Sequence, residues 1–365
     1  MNILFWGNLV RTAEALARGG SDVTLWVDSE RLGRYSSQMS ESGKLNVIYY
    51  RQDAGIRGLY RLVRELRRHV RQHDIDVVFT NGVRDLVVAA LACRFLHASN
   101  RPRLVSTSHD SYTWQHPEKA RLAILLFRLL SDAVVALASF VETALRNANF
   151  PQSRVRMIPN AVDTDSMQPR NQSGGDGPVG IGYVGVVNPM KGQDVLIKAL
   201  RQVISQHPDV QVHFFGDIFD EAYKENMAKY IRDQSMEDSV KFWGATSNEE
   251  ALERLRGLDI YVCPSLMEMC PYNVIEAEAT GLPVVASNVG GIPDLIDDGV
   301  EGILFPPGDA GALAAALCRL IGDPTERQRM GRMARARAVT RHDCAVIGEQ
   351  LTDFFASLSR NGSQQ

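Results

Sequence analysis

The chain has little with which to cross-link itself or hold a metal. Its 365 residues include five cysteines. These are Cys93, Cys263, Cys270, Cys318 and Cys344, an odd and scattered set with no C-x-x-C or Cys/His spacing. That excludes a disulfide framework and a structural zinc site, and metal ligands are expected to be none. Long hydrophobic runs are missing too: nothing approaches the ~18 residues that span a bilayer, and the longest candidate, around 122–141, is broken by Arg128 and Asp132. The opening MNILFWGNLV enters an apolar run without a basic leader, which reads as cytoplasmic. A net charge of −3 is too mild for nucleic acid, so no nucleic-acid partner is expected. Charge is uneven, however, with 22 Lys and Arg against 16 Asp and Glu in residues 1–165, and 18 against 27 in the rest. A basic first half points to a polyanionic partner there.

What is present is rhythm. Short β-rich runs alternate with helical ones: NILFW, DVTLWV, NVIYY, DVVFT, RLVSTS and AVVALA, with TAEALARG, LYRLVRELRRHVRQH, DLVVAALACRFL and ARLAILLFRLL among the helices between them. Continuously apolar strands in a βαβα order mean a parallel sheet covered on both faces. The rhythm breaks in the polar, Gly/Pro-rich TDSMQPRNQSGGDGP and restarts at GIGYVGVV. The expected class is α/β, with two doubly wound Rossmann-like domains facing a central cleft. Expected bounds are 1–165 for the first domain, 166–178 for a linker, and 179–340 for the second domain. Residues 341–365 are read as a C-terminal helix, which completes the second domain or crosses back to the first, followed by a disordered tail.

Four features sit where strands end. Gly180, Gly182 and Gly185 spell G-x-G-x-x-G, but they lie inside a strand instead of opening a helix, which favours strand packing over a dinucleotide site. Lys191, in the strand-to-helix turn NPMKG, is placed to hold a diphosphate, with a solvated turn lysine as the plain alternative. His109 follows another strand in VSTSHDSYTW and reads either as a structural hydrogen-bonder or as a site residue. Glu268 and Glu276 stand eight apart, so one continuous helix would not set them on one face. If the strand IYVC ends near Pro264, Glu268 lies in a loop and Glu276 on a helix running from about 272 to 280. Both could then reach one ligand across that helix's N-terminus.

In this order the pieces resemble the retaining family 4 glycosyltransferases of the GT-B fold. The matching stretches run from SHD near 109 through IPNAVD, GYVGVVNPMKG, HFFGD and E-x7-E-A-x-A-x-G-L-P to VGGIPDLIDDGVEGILFPPGD. The resemblance implies a sugar moved from a nucleotide-diphosphate sugar (UDP- or GDP-linked, as co-substrate and with no other cofactor) to a glycan or lipid-linked acceptor, without a metal. It implies that His109, Lys191 and Glu268 serve catalysis, Lys191 also holding the diphosphate and Glu268 facing the transferred sugar. Donor binding falls to Gly7, Asn160, Gly216, Asp217, Cys270, Tyr272, Asn273 and Glu276, with Glu276 on the ribose. Where the family commonly has an arginine partner for the lysine, this chain has Val186. Alternatives are a degenerate nucleotide-sugar-binding partner subunit, a GT-B epimerase and a dinucleotide oxidoreductase.

One further expectation concerns location. Arg57, Arg61, Arg64, Arg68 and Arg71 recur at 4-3-4-3 spacing along one helical stripe, with Leu59, Val63, Leu66 and Val70 along another. A solvated basic face is the plain reading. An anionic membrane surface, the inner face of the cell membrane, is the candidate partner.

Overall fold

The computed structural model describes the whole chain except residues 7–9, 29–44, 51–54, 95, 98–99, 170–176, 246–247 and 361–365. Gly7, most of the expected linker and the tail after Arg360 therefore lie outside the described residues. The chain forms two compact units, Met1–Ala161 with Cys344–Gln365, and Val162–Asp343.

Unit 1 is built on a seven-stranded sheet in the order β3-β2-β1-β4-β5-β6-β7. Its strands are β1 (Asn2–Trp6), β2 (Asp22–Asp28), β3 (Leu45–Tyr50), β4 (Val77–Asn81), β5 (Arg103–Thr107), β6 (Ala133–Ala136) and β7 (Val155–Met157). Every pairing is parallel. The helices are α1 (Val10–Arg18), α2 (Gly55–Gln72), α3 (Val83–Cys93), α4 (Ser111–Gln115), α5 (Pro117–Leu130) and α6 (Ser139–Asn147). Parallel strands covered on both faces must be apolar on both faces, and β1, β4 and β6 are buried almost throughout.

The C-terminal helix, Cys344–Arg360, belongs to this unit. It crosses α1 closely because Gly348 meets Ala15: a Cβ at Gly348 would stand 2.3 Å from the Ala15 carbonyl oxygen. Beyond the crossing, Phe355 is fully buried, its ring centroid 5.7 Å from that of Phe79 on β4.

Unit 2 carries a six-stranded, all-parallel sheet in the order β10-β9-β8-β11-β12-β13. The strands are β8 (Gly180–Val184), β9 (Gln211–Phe215), β10 (Val240–Phe242), β11 (Ile260–Cys263), β12 (Val284–Ser287) and β13 (Gly302–Phe305). Helices α7 (Gln193–Ile204), α8 (Glu221–Asp233), α9 (Asn248–Arg256), α10 (Tyr272–Ala279), α11 (Ile292–Leu295), α12 (Ala310–Gly322) and α13 (Pro324–Arg337) connect and follow them. Gly182 packs as a strand residue, since a Cβ there would lie 2.3 Å from the side chain of Leu258. Residues 162–168 are fastened within this unit. Arg335 on α13 donates to the Met167 and Thr164 carbonyls at 2.8 and 3.0 Å, and Thr164 donates its hydroxyl to Asp343 at 2.5 Å.

In each sheet the strand order reverses once, between β1 and β4 in unit 1 and between β8 and β11 in unit 2. Connections leave such a point in opposite directions, opening a crevice at the strands' C-terminal ends where ligands of doubly wound folds bind. Because the last helix supplies Phe355 to the core of unit 1, Phe355→Ala should cost about 3–5 kcal/mol. Urea unfolding checks this. A loss under about 1 kcal/mol would mean that the helix is peripheral to the core.

Candidate functional site

The reversal in unit 2 is where the charged residues gather. The chain leaving β8 turns through the 3-10 segment Pro189–Lys191, capped by Asn188, whose side-chain oxygen accepts from the Lys191 N–H at 3.2 Å. The chain leaving the neighbouring β11 forms the loop that carries Glu268. The Lys191 ammonium donates to Glu268 Oε1 at 2.7 Å, and the Ser265 hydroxyl donates to the same oxygen at 2.7 Å. Burial works against the lysine's charge. The Glu268 carboxylate, with its hydrogen bond, outweighs that and raises the pKa above the ordinary lysine value.

Two glycines let these loops close. Gly192, at φ 66°, ends the lysine turn in a left-handed conformation, and a Cβ there would stand 2.1 Å from the Pro264 carbonyl oxygen. Gly290, at φ 55°, presses on the backbone of Glu268 itself, where a Cβ would come within 1.9 Å of its carbonyl oxygen. The same carbonyl accepts from the Gly291 N–H at 3.1 Å, and the Leu266 N–H donates to Met190 at 2.9 Å, tying the two loops together. Glu268 is thus fixed at its backbone and at its carboxylate.

Helix α10 follows this loop, with Pro271 as its N-cap and Tyr272 as its first residue. Asn273 anchors its start to the end of β8 by donating to the Val184 carbonyl at 2.6 Å. Glu276 is buried on the same helix, and its charge reaches Tyr261 on β11. Burial first, then the nearby Glu268 charge, pushes the Cys263 thiol up to about 12, so this cysteine is a neutral packing residue. Cys270 is buried, and Tyr272 lies half-buried at the helix start. Gly216 and Asp217 continue the β8–β9 pairing past the strand ends: the Gly185 N–H donates to Phe215 and the Val187 N–H to Asp217, both at 2.8 Å. Asp217 is exposed.

In unit 1, His109 and Asn160 meet although 51 residues apart, with His109 Nε2 and Asn160 Oδ1 at 2.9 Å. On the other side of the ring, Nδ1 lies 3.2 Å from Asn81 Oδ1, which also accepts the His109 backbone N–H. Burial lowers the imidazole pKa, against the opposing pull of the Asn160 hydrogen bond. Asn81 Oδ1 accepts the backbone N–H, so its oxygen faces the ring and accepts from Nδ1; a neutral ring then has a bare Nε2, which pairs with Asn160 only when that amide turns its NH2 to the ring. Sequence reasoning missed Asn81, Asn188, Ser265 and Gly290. Asn188 stands in an Asn-Pro turn, a readable signal; Asn81 and Ser265 needed the strand order. Among the described residues, no three His, Cys, Asp or Glu side chains converge to hold a metal ion.

Twin doubly wound units, with ligand-type residues at the strand reversal of the second, define the GT-B class of architecture. Solved chains of the same fold include Anabaena Alr3699/HepE in complex with UDP-glucose, with a TM-score of 0.80 and 24% identity, covering 98% of this chain and 100% of that one. Another is a sucrose-phosphate synthase from Thermosynechococcus elongatus, with a TM-score of 0.80 and 20% identity over 99% and 100% of the two chains. Two family models tile the sequence, Glycosyltransferase Family 4 over residues 9–166 and Glycosyl transferases group 1 over residues 167–337. The chain belongs to the family 4 glycosyltransferases, and it is a glycosyl-transferring enzyme. It is similar to a GDP-mannose-dependent alpha-(1-6)-phosphatidylinositol monomannoside mannosyltransferase of Mycolicibacterium smegmatis, at 26% identity over 80% of this chain and 79% of that protein. It is also similar to a phosphatidyl-myo-inositol mannosyltransferase of Mycobacterium leprae, at 30% identity over 57% and 54% of the two chains.

The ion pair makes a direct prediction. In Glu268→Gln the lysine stays buried but loses its counter-charge, so its pKa should fall below the ordinary lysine value instead of standing above it. Side-chain NMR titration of Lys191 reads this out. An unchanged pKa would show that Glu268 does not hold the charge.

Proposed function

We propose that unit 2 binds a nucleotide-diphosphate sugar at the β8/β11 reversal and that the enzyme transfers the sugar, with retention and without a metal, to a glycan or lipid-linked acceptor. The observation that carries this reading is the Lys191–Glu268 pair, a cation and a carboxylate joined at 2.7 Å at the strand ends where such folds take ligands. Cleaving a sugar–diphosphate bond builds negative charge on the leaving group. An ammonium from the lysine turn, together with the N-terminus of α10, would meet that charge. The incoming diphosphate draws Lys191 away from Glu268, and the freed carboxylate is then held by Ser265 toward the transferred sugar. Glu276 takes the ribose hydroxyls, and the start of α10 with Cys270, Tyr272 and Asn273 lines the nucleotide. His109 serves the sugar as a neutral group and not as a cation, its Nε2 exchanging the contact with Asn160 for one to a sugar hydroxyl while Asn81 keeps hold of Nδ1.

The named activities of similar mannosyltransferases support a GDP-sugar donor and a phosphatidylinositol-type acceptor for this chain. The five arginines of the expected stripe are exposed along α2; of the expected apolar stripe Leu66 and Val70 are buried and Val63 half-buried, but Leu59, near the helix start, is exposed. Such a stripe supports docking on an anionic membrane at ~1 kcal/mol per residue close to the surface. Among the described residues, no helix is long and apolar enough to cross a membrane.

Lys191→Met and Glu276→Gln should each leave the fold intact and cost on the order of 2–4 kcal/mol in kcat/KM, the scale of one lost transition-state contact. Donor turnover, followed as nucleoside diphosphate release from GDP- and UDP-sugars, is the measurement. Near wild-type rates in both variants would remove the donor site from this crevice. Val186, 37% exposed, lies on the chain between β8 and the lysine turn. Val186→Arg should tighten nucleoside diphosphate binding measured by calorimetry. Unchanged or weaker binding would mean that the diphosphate is neutralised another way.

A further inference from the structure

Helix α5 in unit 1 turns apolar residues outward. Its exposed positions after Pro117 are Glu118, Arg121, Leu122, Leu125, Arg128 and Leu129, the spacing of one helical face, while Ala123 and Phe127 point into the unit. Leu122, Leu125 and Leu129 are 56%, 50% and 67% exposed. A single exposed leucine is unremarkable. Three at i, i+3 and i+7 form a continuous row, and arginines flank it.

Both ends of the row continue the same chemistry. At its start, Tyr112 on α4 is 54% exposed with the Lys119 ammonium 3.8 Å from its ring centroid. At its end, Leu129 borders a basin of about 710 Å³ lined by Arg101, Arg103, Arg128 and Arg154, with Asp132 among its other residues. Asp132 is 3.4 Å from Arg103, and Arg154 donates to the main-chain carbonyls of Asp132 and Ser131. No ion pair of Arg101 or Arg128 is found among the described residues. The basin therefore has more positive charge than its own carboxylate offsets.

We propose that the outward face of α5 and this basin form a docking surface for an anionic lipid bilayer. The three leucines enter the boundary between headgroups and acyl chains, Tyr112 and the arginines stay at headgroup level, and the basin receives lipid phosphate. An apolar row edged by cations, with an aromatic at one end, is the composition of helices that lie in the plane of a membrane interface. Charge decides against a second copy of this chain as the occupant, because pairing would bring two cationic faces together. The proposal rests on the membrane part of the function proposed above and adds a second contact to the arginines of α2. The α2 arginines act through charge, and the leucine row of α5 adds a contact that salt does not screen.

The test is co-sedimentation of the full chain with phosphatidylcholine vesicles, with and without phosphatidylglycerol, at low and at ~0.5 M salt. The wild type is expected to bind the anionic vesicles and to retain part of that binding at high salt. Combined Leu122→Ser, Leu125→Ser and Leu129→Ser should lower partitioning about tenfold or more and abolish the salt-resistant part. Combined Arg101→Ser and Arg128→Ser should remove part of the salt-sensitive binding. In Leu125→Trp, tryptophan emission should shift to the blue when vesicles are added. Nucleoside diphosphate binding should be unchanged in all these variants. If Arg61→Ser, Arg64→Ser and Arg68→Ser together abolish binding while the serine triple of α5 binds like wild type, the α5 proposal falls and docking through α2 stands. No vesicle binding by the wild type overturns both. Concentration-dependent dimerisation abolished by the serine triple would replace the membrane with a second copy and overturn the proposal.

Discussion

A buried charge must be answered by another charge, and in unit 2 that requirement falls on Lys191 and Glu268. The lysine side chain is 27% exposed and the glutamate's 9%, too little water for either ion to be comfortable alone. Each comes from the loop after one of two adjacent strands, so the pair can form only if β8 and β11 end at the same level and their loops fold toward each other. The surrounding geometry serves that end. Gly192 lets the lysine turn lie against Pro264, Gly290 lets a later loop lie against Glu268, and the Leu266–Met190 hydrogen bond joins the two loops. A side chain at either glycine would push one partner of the pair away from the other.

Unit 1 solves a related problem without charge. His109 is held between two asparagine side chains, one at the end of β4 and one after β7. Burial keeps the imidazole neutral, and a neutral ring between amides has its tautomer and orientation fixed by the same bonds. The two units therefore present different chemistry: a charge-compensated pair of ions in one, and in the other a neutral ring held at both nitrogens by amide side chains.

Much of this was readable from the chain because parallel strands buried on both faces are continuously apolar, and runs such as NILFW and IYVC admit few other readings. The displaced pair Glu268 and Glu276 could be assigned to a loop and a helix because Pro271 marks the helix start, and the helix observed is Tyr272–Ala279. The direct bond between Lys191 and Glu268 was not readable, since 77 residues separate them and only the order of β8 and β11 brings them together. The outward leucines of α5 were hidden for another reason. Apolar periodicity says that a face exists but not whether anything covers it. On α2 the apolar stripe is covered at Leu66 and Val70 but Leu59 is exposed, and on α5 leucines share the outer face with arginines.

Helix α10 carries one more constraint from the opposite direction. Two residues beyond Glu276, Glu278 points roughly 200° around the helix and is completely buried, with neither carboxyl oxygen hydrogen-bonded. Arg337 on α13, whose charge favours the ionised form, is engaged with Asp297 at 2.8 Å and Glu301 at 3.2 Å. Burial holds the Glu278 carboxyl well above the usual range, more than Arg337 can offset, so it sits there as a neutral acid. The helix that presents Glu276 on one side thus has on its other side a carboxyl that would repel Asp297 and Glu301 if it ionised. The packing of α10 against α13 encloses a protonated carboxyl on the side of the helix away from Glu276.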